Sequence, residues 1–442
     1  MSTSQIAAIV ISLAVLVGVA HVVGHVFVKL RQPRLVGEIL TGALLGPFAL
    51  GRVAPSMSSA LFGQGSDPTD STGVVLGFIY WLGLLLLMFV SGSEVRKVLS
   101  GENRRPTAWI LGVGTPLPFF LALGIGSLLP LDSLAGRAND EASVLLILAI
   151  AVAVTSIPVI SRIFLDLGIM HTRFASLVLG SAILEDLALW AVLAVATALA
   201  ASGAVGEEVA GTMTSHVAAT LGYLLVGLLL APRLLKRLHA ARWNVLQQSS
   251  PVGYSIVLML VYASVAALID VNLVFAAFLA GFGLVGGLGG TERVRFAAPL
   301  DAISKVSFAV FIPLYFVMVG YQLELGNGFS LALLVAFLLG SSILCLLSVG
   351  LAARLAGFRG LEIVNLAVAE NARGGPGIVL ASVAYEAGII NGRFFTTLVL
   401  TAILTSQAAG FWLAYVLRKG WPLLAEEPIE QRDVEKVDAA SA

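Results

Sequence analysis

Apolar runs of about 20 residues recur along nearly the whole chain, separated by short polar connections, which is the spacing of helices crossing a hydrocarbon core about 30 Å thick. Inside lipid each backbone amide and carbonyl needs a partner within its own segment, and an α-helix supplies one. The pattern therefore predicts an all-α polytopic membrane protein. Only 12% of the 442 residues are charged and 58% are hydrophobic, against roughly 25% charged in an average soluble domain. No segment resembles a soluble domain. A formal net charge of +0 points to neither nucleic acid nor an acidic partner. The single cysteine, Cys345, cannot form an internal disulfide.

The first run, Gln5 to Leu30, has no basic residue before it and carries Lys29, Arg31 and Arg34 at and beyond its far end. A signal peptide carries its charge first, so this run is expected to be a retained helix with its N-terminus outside. About thirteen helices fit the length and period of the runs. Alternate connections are rich in Lys and Arg, such as Arg96, Lys97, Arg104 and Arg105, then Arg233, Lys236, Arg237 and Arg242, then Arg354 and Arg359. Basic loops mark the cytoplasmic side. The intervening connections hold Asp67, Asp70, Asp132, Asp140, Glu207, Glu208 and Asp270, and an odd number of spans puts the C-terminus inside.

Two runs contain what a continuous helix resists: "AVAVTSIPVISRIF", with Thr155, Ser156 and Pro158, and "AENARGGPGIVL", with Gly374, Gly375, Pro376 and Gly377. Proline removes a donor and glycine loosens the backbone. Within a membrane such breaks survive only against protein or a watery cavity. Each is fourth in a five-helix unit, one unit starting inside (roughly 34–203) and the other outside (roughly 271–417). Inverted repeats with a broken helix at the same place in each predict a secondary transporter whose site lies where the breaks meet. The alternative is two unrelated kinked helices, since Gly and Pro are common in membrane spans.

"GSAILEDLALW", just after the first break, sets Glu185 and Asp186 in the middle of an apolar helix. An ionised carboxylate there costs about 3 kcal/mol on insertion scales. Carboxylate oxygens, the loose carbonyls of the broken helix and the hydroxyls of Thr155 and Ser156 would make a hard-oxygen site for a small monovalent cation, with Asp186 and Thr155 as its ligands. Burial favours the protonated form of a carboxyl, so the same group can hold a proton or a cation. If only occupied forms cross, the two ions exchange, which is proton-coupled antiport. Glu185 and Asp186 differ by about 100° around the helix, leaving one to bind the cation and the other to meet a basic partner. Arg373 is the candidate, for Glu185 or equally for Glu370 three positions before it; Asn371 would complete the polar crossing.

Other polar features carry less. Arg162 and Asp166 read as an exposed pair near a helix end. Glu38 is a candidate lining residue of an inward vestibule, while Glu94, beside Arg96 and Lys97, reads as a solvated end. Gly42 and Gly46 have the spacing of close helix packing. "GFGLVGGLGG" lacks the strand, turn and lysine of a nucleotide loop. His21 and His25 share one helix face as polar packing, with pH sensing as the lesser reading. No Cys/His cluster suits zinc and no nucleophile has a base, so no enzyme is expected.

"VGEILTGALLGP", "TSIPVISRIFLDLG", "GSAILEDLALW" and "ENARGGPGIVL", in this order and spacing, together resemble the monovalent cation:proton antiporter-2 family, which includes sodium/proton antiporters, potassium-efflux antiporters and plant cation/proton exchangers. The resemblance covers most of residues 1–420. It implies thirteen spans, inverted five-helix repeats with crossed discontinuous helices, a homodimer, and elevator-like movement of a core domain. By motif, Asp186 falls on the family's ion-binding aspartate, Glu185 on the variable position before it, and Thr155 and Ser156 on the unwound part of the first broken helix. Two departures stand out: glutamate at the variable position, and no lysine in residues 328–353, where many relatives carry a partner for the first acid. Arg373 is the expected substitute.

The expected function is exchange of H⁺ for Na⁺ or K⁺ in a bacterial plasma membrane, with no cofactor and no nucleic acid. The other readings are a proton- or sodium-coupled organic-solute carrier on the same fold, or a potassium-efflux channel-like protein. Residues 421–442 mix charges with small residues and read as a disordered cytoplasmic tail; regulation would then need a separate protein.

Overall fold

A computed structural model describes residues 2–30, 32–63, 70–98, 108–170, 172–203, 218–220, 222–241, 244–269, 271–326 and 328–425. In chain order its α-helices are α1 (Thr3–Lys29), α2 (Arg34–Leu45), α3 (Leu50–Val53), α4 (Pro55–Phe62), α5 (Ser71–Val98), α6 (Pro116–Gly126), α7 (Glu141–Ala153), α8 (Ile157–Asp166), α9 (Arg173–Gly203), α10 (Ala231–Ala240), α11 (Val245–Ser249), α12 (Pro251–Leu268), α13 (Leu273–Gly287), α14 (Gly290–Val306), α15 (Ile312–Tyr321), α16 (Leu331–Ala356), α17 (Leu361–Glu370), α18 (Gly374–Glu386) and α19 (Gly392–Arg418). Among the described residues, eight helices are long and apolar enough to cross a membrane, and four shorter apolar helices accompany them. This is an all-α polytopic membrane fold.

Helix starts are set by side chains that take up the first free amides. Ser2 caps α1 in a reciprocal box with Gln5, Asp140 accepts from Ser143 N at 2.8 Å before α7, and Asn391 accepts from Phe394 N at 3.0 Å before α19. Several prolines fall inside helical stretches without ending them, Pro299 within α14 among them, and three share one device. Pro116, Pro232 and Pro313 each follow a π-helical turn, at Ile110–Gly114, Val226–Leu230 and Ser307–Phe311 respectively. The wider turn makes room where the proline ring would otherwise strike the carbonyl four residues back.

The chain divides into two compact units, Met1–Arg96 with Ala218–Gly328, and Lys97–Val217 with Phe329–Ala442. In the first, two helix crossings are made by glycine. A Cβ on Gly42 would lie 1.8 Å from the Val317 carbonyl oxygen, and one on Gly320 would lie 1.9 Å from the Ile39 oxygen. The crossing of α5 and α13 repeats this: Gly92 meets the Phe278 oxygen at 2.1 Å and Gly281 meets the Phe89 oxygen at 2.0 Å. In each case the carbonyl struck belongs to the residue one helical turn before the partner glycine. Because the obstacle is backbone, no rotamer change relieves it. Gly281→Ala is expected to cost about 3 kcal/mol, at the upper end for overpacking, seen as a lower thermal midpoint in detergent; an unchanged midpoint would mean the helices re-space freely.

The same unit holds Glu38, which is buried and paired through its Oε1 with Arg34 Nε at 3.3 Å. Arg34 also meets His21 Nδ1, and His21 Nε2 reaches the Ala309 carbonyl at 2.6 Å. Glu38 thus sits in an ion pair rather than open on a vestibule wall, and His21 is engaged as packing. Glu94 lies outside the described side chains.

Candidate functional site

Both breaks expected from sequence are present, and both lie in the second unit. Pro158 in a continuous helix would collide with the Val154 carbonyl; instead α7 stops at Ala153, Val154 turns extended (φ −94°, ψ 140°), and α8 restarts at Ile157. The other helix stops at Glu370 and restarts at Gly374, whose φ is +29°.

The breaks satisfy one another. Pro376 has no amide to offer the Ala372 carbonyl, and Ser156 N donates to that oxygen at 2.7 Å. With Ser156 N diverted, the Val152 carbonyl at the end of α7 has lost its helical donor, and Arg373 Nη2 donates to it at 3.3 Å. A cation at a helix C-terminus is favourable as well as hydrogen-bonded. Gly374 N donates to Ser406 Oγ at 3.0 Å, and the Glu370 carbonyl accepts from Thr155 Oγ1. Every backbone group opened by one break that these contacts involve is closed by the other break or by a hydroxyl of α19.

Two carboxyls flank the crossing. Glu185, on α9, is 2% exposed and its Oε1 accepts from Thr115 Oγ1 at 2.6 Å, with Thr155 within reach of the same carboxyl. Glu370 is 0% exposed and its Oε1 accepts from Ser181 Oγ. The two carboxyls are near enough for their charges to interact. Among the described residues, neither Glu185 Oε2 nor Glu370 Oε2 has a hydrogen-bond partner. Asp186 follows Glu185 on α9, but its side chain lies outside the described residues, as do those of Arg162 and Asp166.

Arg373 is 2% exposed, and the ion pair that sequence reasoning gave it is not formed among the described residues. Its Nη1 donates to Ser341 Oγ at 2.6 Å and its Nη2 to Asn371 Oδ1 at 3.1 Å, besides the Val152 carbonyl. The spacing rule that joined it to Glu370 needs an unbroken helix, and α17 ends between them. Asn371 in turn donates to Ser342 Oγ at 3.2 Å. Helix α16, which has no lysine to offer, contributes Ser341 and Ser342 to these two residues.

Thr155, Ser156, Glu185, Glu370, Asn371 and Arg373 are thus brought together. Thr115, Ser181 and Ser341 were missed. Thr115 had a signal, standing between a glycine and Pro116 in "GVGTPLP". The donors at hand are carboxylate, hydroxyl and carbonyl oxygens, hard ligands that suit a small cation. Among the described residues, no group of three or more His, Cys, Asp or Glu could hold a metal ion.

A polytopic helical fold that interrupts two of its helices and joins the breaks beside buried carboxyls defines a secondary transporter. The profile of the family described as "Sodium/hydrogen exchanger, transmembrane" matches residues 11–419, and the chain belongs to that family. Membership places it among transporters rather than enzymes. Cation/H(+) antiporter 18 of Arabidopsis thaliana is 25% identical over 403 residues, covering 90% of this chain and 47% of the plant protein. Na(+)/H(+) antiporter NhaS4 of Synechocystis is 24% identical over 420 residues, covering 92% of this chain and 96% of the relative. The chain therefore spans about half the length of the plant relative and nearly all of the cyanobacterial one. The solved structure of the sodium proton antiporter MjNhaP1 from Methanocaldococcus jannaschii superposes with a TM-score of 0.64 at 16% identity, covering 96% of this chain and 100% of that one. This shows a shared fold.

Proposed function

We propose that the chain exchanges protons for a monovalent cation, Na⁺ or K⁺, by alternating access, with both ions competing for one intramembrane site. Asp186 is the ion-binding carboxylate, Thr155 and Ser156 supply oxygens from the first break, and Glu185 is the second acid. Glu370, Asn371 and Arg373 support them from the second break. The observation that carries this reading is the joining of the two breaks, Ser156 N to the Ala372 carbonyl at 2.7 Å, beside the Glu185 carboxyl. It closes the backbone of both helices, and among the described residues it leaves Glu185 Oε2 and Glu370 Oε2 without a hydrogen-bond partner.

The same reading takes the chain as thirteen spans in two inverted repeats, working as a homodimer, and assigns it to the cation:proton antiporter-2 branch. The repeats are supported by the paired glycine crossings, in which the first helix of each repeat meets the second helix of the other. The branch is supported by the motif around Asn371, Arg373 and Gly374, which is most similar to the plant exchangers. Competition follows from desolvation: a carboxylate in this setting is costly to keep charged and empty, so release of a proton favours capture of a cation.

The test uses proteoliposomes with an internal pH dye and an imposed pH gradient, pulsed with Na⁺, K⁺, Li⁺ or choline. Alkali cations, but not choline, are expected to collapse the gradient, and Asp186→Asn to abolish the response. Should no alkali cation move protons through an actively reconstituted wild type, antiport is excluded, and organic substrates become the next to try on this fold.

A further inference from the structure

Helix α19 is followed by a reversal at Gly420, whose φ of +68° is open to glycine at little cost. Gly420 N donates to the Leu417 carbonyl at 2.9 Å and Trp421 N to that of Val416 at 3.1 Å. The residues after it turn back onto α17. Asn365, buried in the middle of α17, donates through Nδ2 to the Leu423 carbonyl at 3.1 Å and accepts through Oδ1 from Trp412 Nε1 of α19 at 3.0 Å. In the first turn of α17, Glu362 accepts from Ala425 N at 2.7 Å and from Arg359 N at 2.8 Å. Leu423 and Leu424 are buried.

Helix α17 is therefore gripped at one end by this strap and bears Glu370 at the other. It holds ten residues, about 15 Å at the rise of an α-helix, and no break interrupts it. A tilt or slide at Glu362 and Asn365 is transmitted to Glu370, whose carbonyl takes Thr155 and whose carboxyl takes Ser181. We propose that Asn365 is a positioning residue: together with residues 421–425 it sets the placement of α17, and so the placement of Glu370 at the crossing. The proposal rests on the reading of that crossing as the exchange site.

Cys345, the single cysteine of the sequence, is buried with its Sγ 3.9 Å from the Glu370 carbonyl, and is a native reporter of where that helix end sits. Labelling of Cys345 by a membrane-permeant maleimide is measured on the full chain, alongside the cation KM and Vmax of exchange. The variants are Asn365→Ala, Ala425→Pro, which deletes one exposed donor and leaves the core intact, and chains ending at Gly420 or at Ala425.

Asn365→Ala and the chain ending at Gly420 are expected to label about tenfold faster, with Ala425→Pro changing in the same direction. KM should rise about threefold or more with Vmax within about twofold, as for a lost ground-state contact. The chain ending at Ala425 keeps the strap and should match the full chain in both readouts. Unchanged labelling in Ala425→Pro and in the chain ending at Gly420, both monodisperse, would overturn the strap's role, and faster labelling with an unchanged KM would overturn its bearing on exchange. Labelling is read whether or not any ion moves, so a wild type that exchanges no cation sinks the functional reading and leaves the strap to be judged on its own.

Discussion

Gly374→Ala is expected to abolish cation-driven proton movement, while Gly375→Ala, one residue along, leaves it close to wild type. A Cβ on Gly374 would lie 2.3 Å from Val159 Cγ2, 2.6 Å from Val159 Cβ and 2.7 Å from Ser156 Oγ, at a φ of +29° that L side chains rarely adopt. Val159 is β-branched and stiff about χ1, so it cannot swing clear. The start of α8 has to retreat, and with it the Ser156 amide that closes the Ala372 carbonyl. Overpacking costs about 1–3 kcal/mol and the strained backbone adds about 1–3 kcal/mol. That sum is a large fraction of a typical folding free energy. At Gly375 a Cβ would meet nothing within 4 Å. The proteoliposome assay and the thermal midpoint of each variant check the contrast; equal behaviour of the two alanines would mean the breaks do not touch as described.

Arg373→Met should lower stability more than Arg373→Lys, and both should fall below wild type. Methionine keeps most of the volume but leaves the Val152 carbonyl, Ser341 Oγ and Asn371 Oδ1 without the guanidinium that serves them. Each buried acceptor deprived of its donor costs about 1–3 kcal/mol. Lysine restores a charge at the end of α7 but not a planar fork that reaches hydroxyl, carbonyl and amide together. Thermal melting in detergent gives the order. A methionine variant that melts like wild type would deny the clamp. If it also kept transport and proton dependence unchanged, Arg373 would have no charge-compensating role either.

The breaks were legible in the sequence because their causes are local. Pro158 and the run Gly374, Gly375, Pro376, Gly377 weaken a helix at their own positions, through a missing donor and a loosened backbone. Glu185, as a rare acid in an apolar run, could be placed for the same reason. What sequence could not supply was the partner of a freed backbone group. The Val152 carbonyl becomes available only because Ser156 N is taken by Ala372, a residue more than two hundred positions away, so nothing near Arg373 in the chain pointed to it. The hydroxyls failed differently. Ser181 and Ser341 stand in apolar runs where Ser and Thr are common at helix contacts, and nothing singles out one among many; Thr115 alone was marked, by the glycine and proline on either side of it. Ser181 lay inside the quoted stretch around Glu185, yet it serves Glu370. The role of Asp186 rests on its place in the motif. Pro116, Pro232 and Pro313 gave no warning of the π-helical turns before them, because proline alone does not distinguish a kink from a widened turn.

The glycine crossings of the first unit bear on how such a chain can change over generations. At Gly42, Gly92, Gly281 and Gly320 the atom standing in the way of a side chain is a carbonyl oxygen, and that atom is the same in every amino acid. A clash between two side chains can be undone by trimming the second. Here no second substitution exists that makes room. Each of the four positions is held to glycine by the backbone it meets, whereas the exposed Ile6, Val22, Leu339 and Leu347 can be rewritten one at a time.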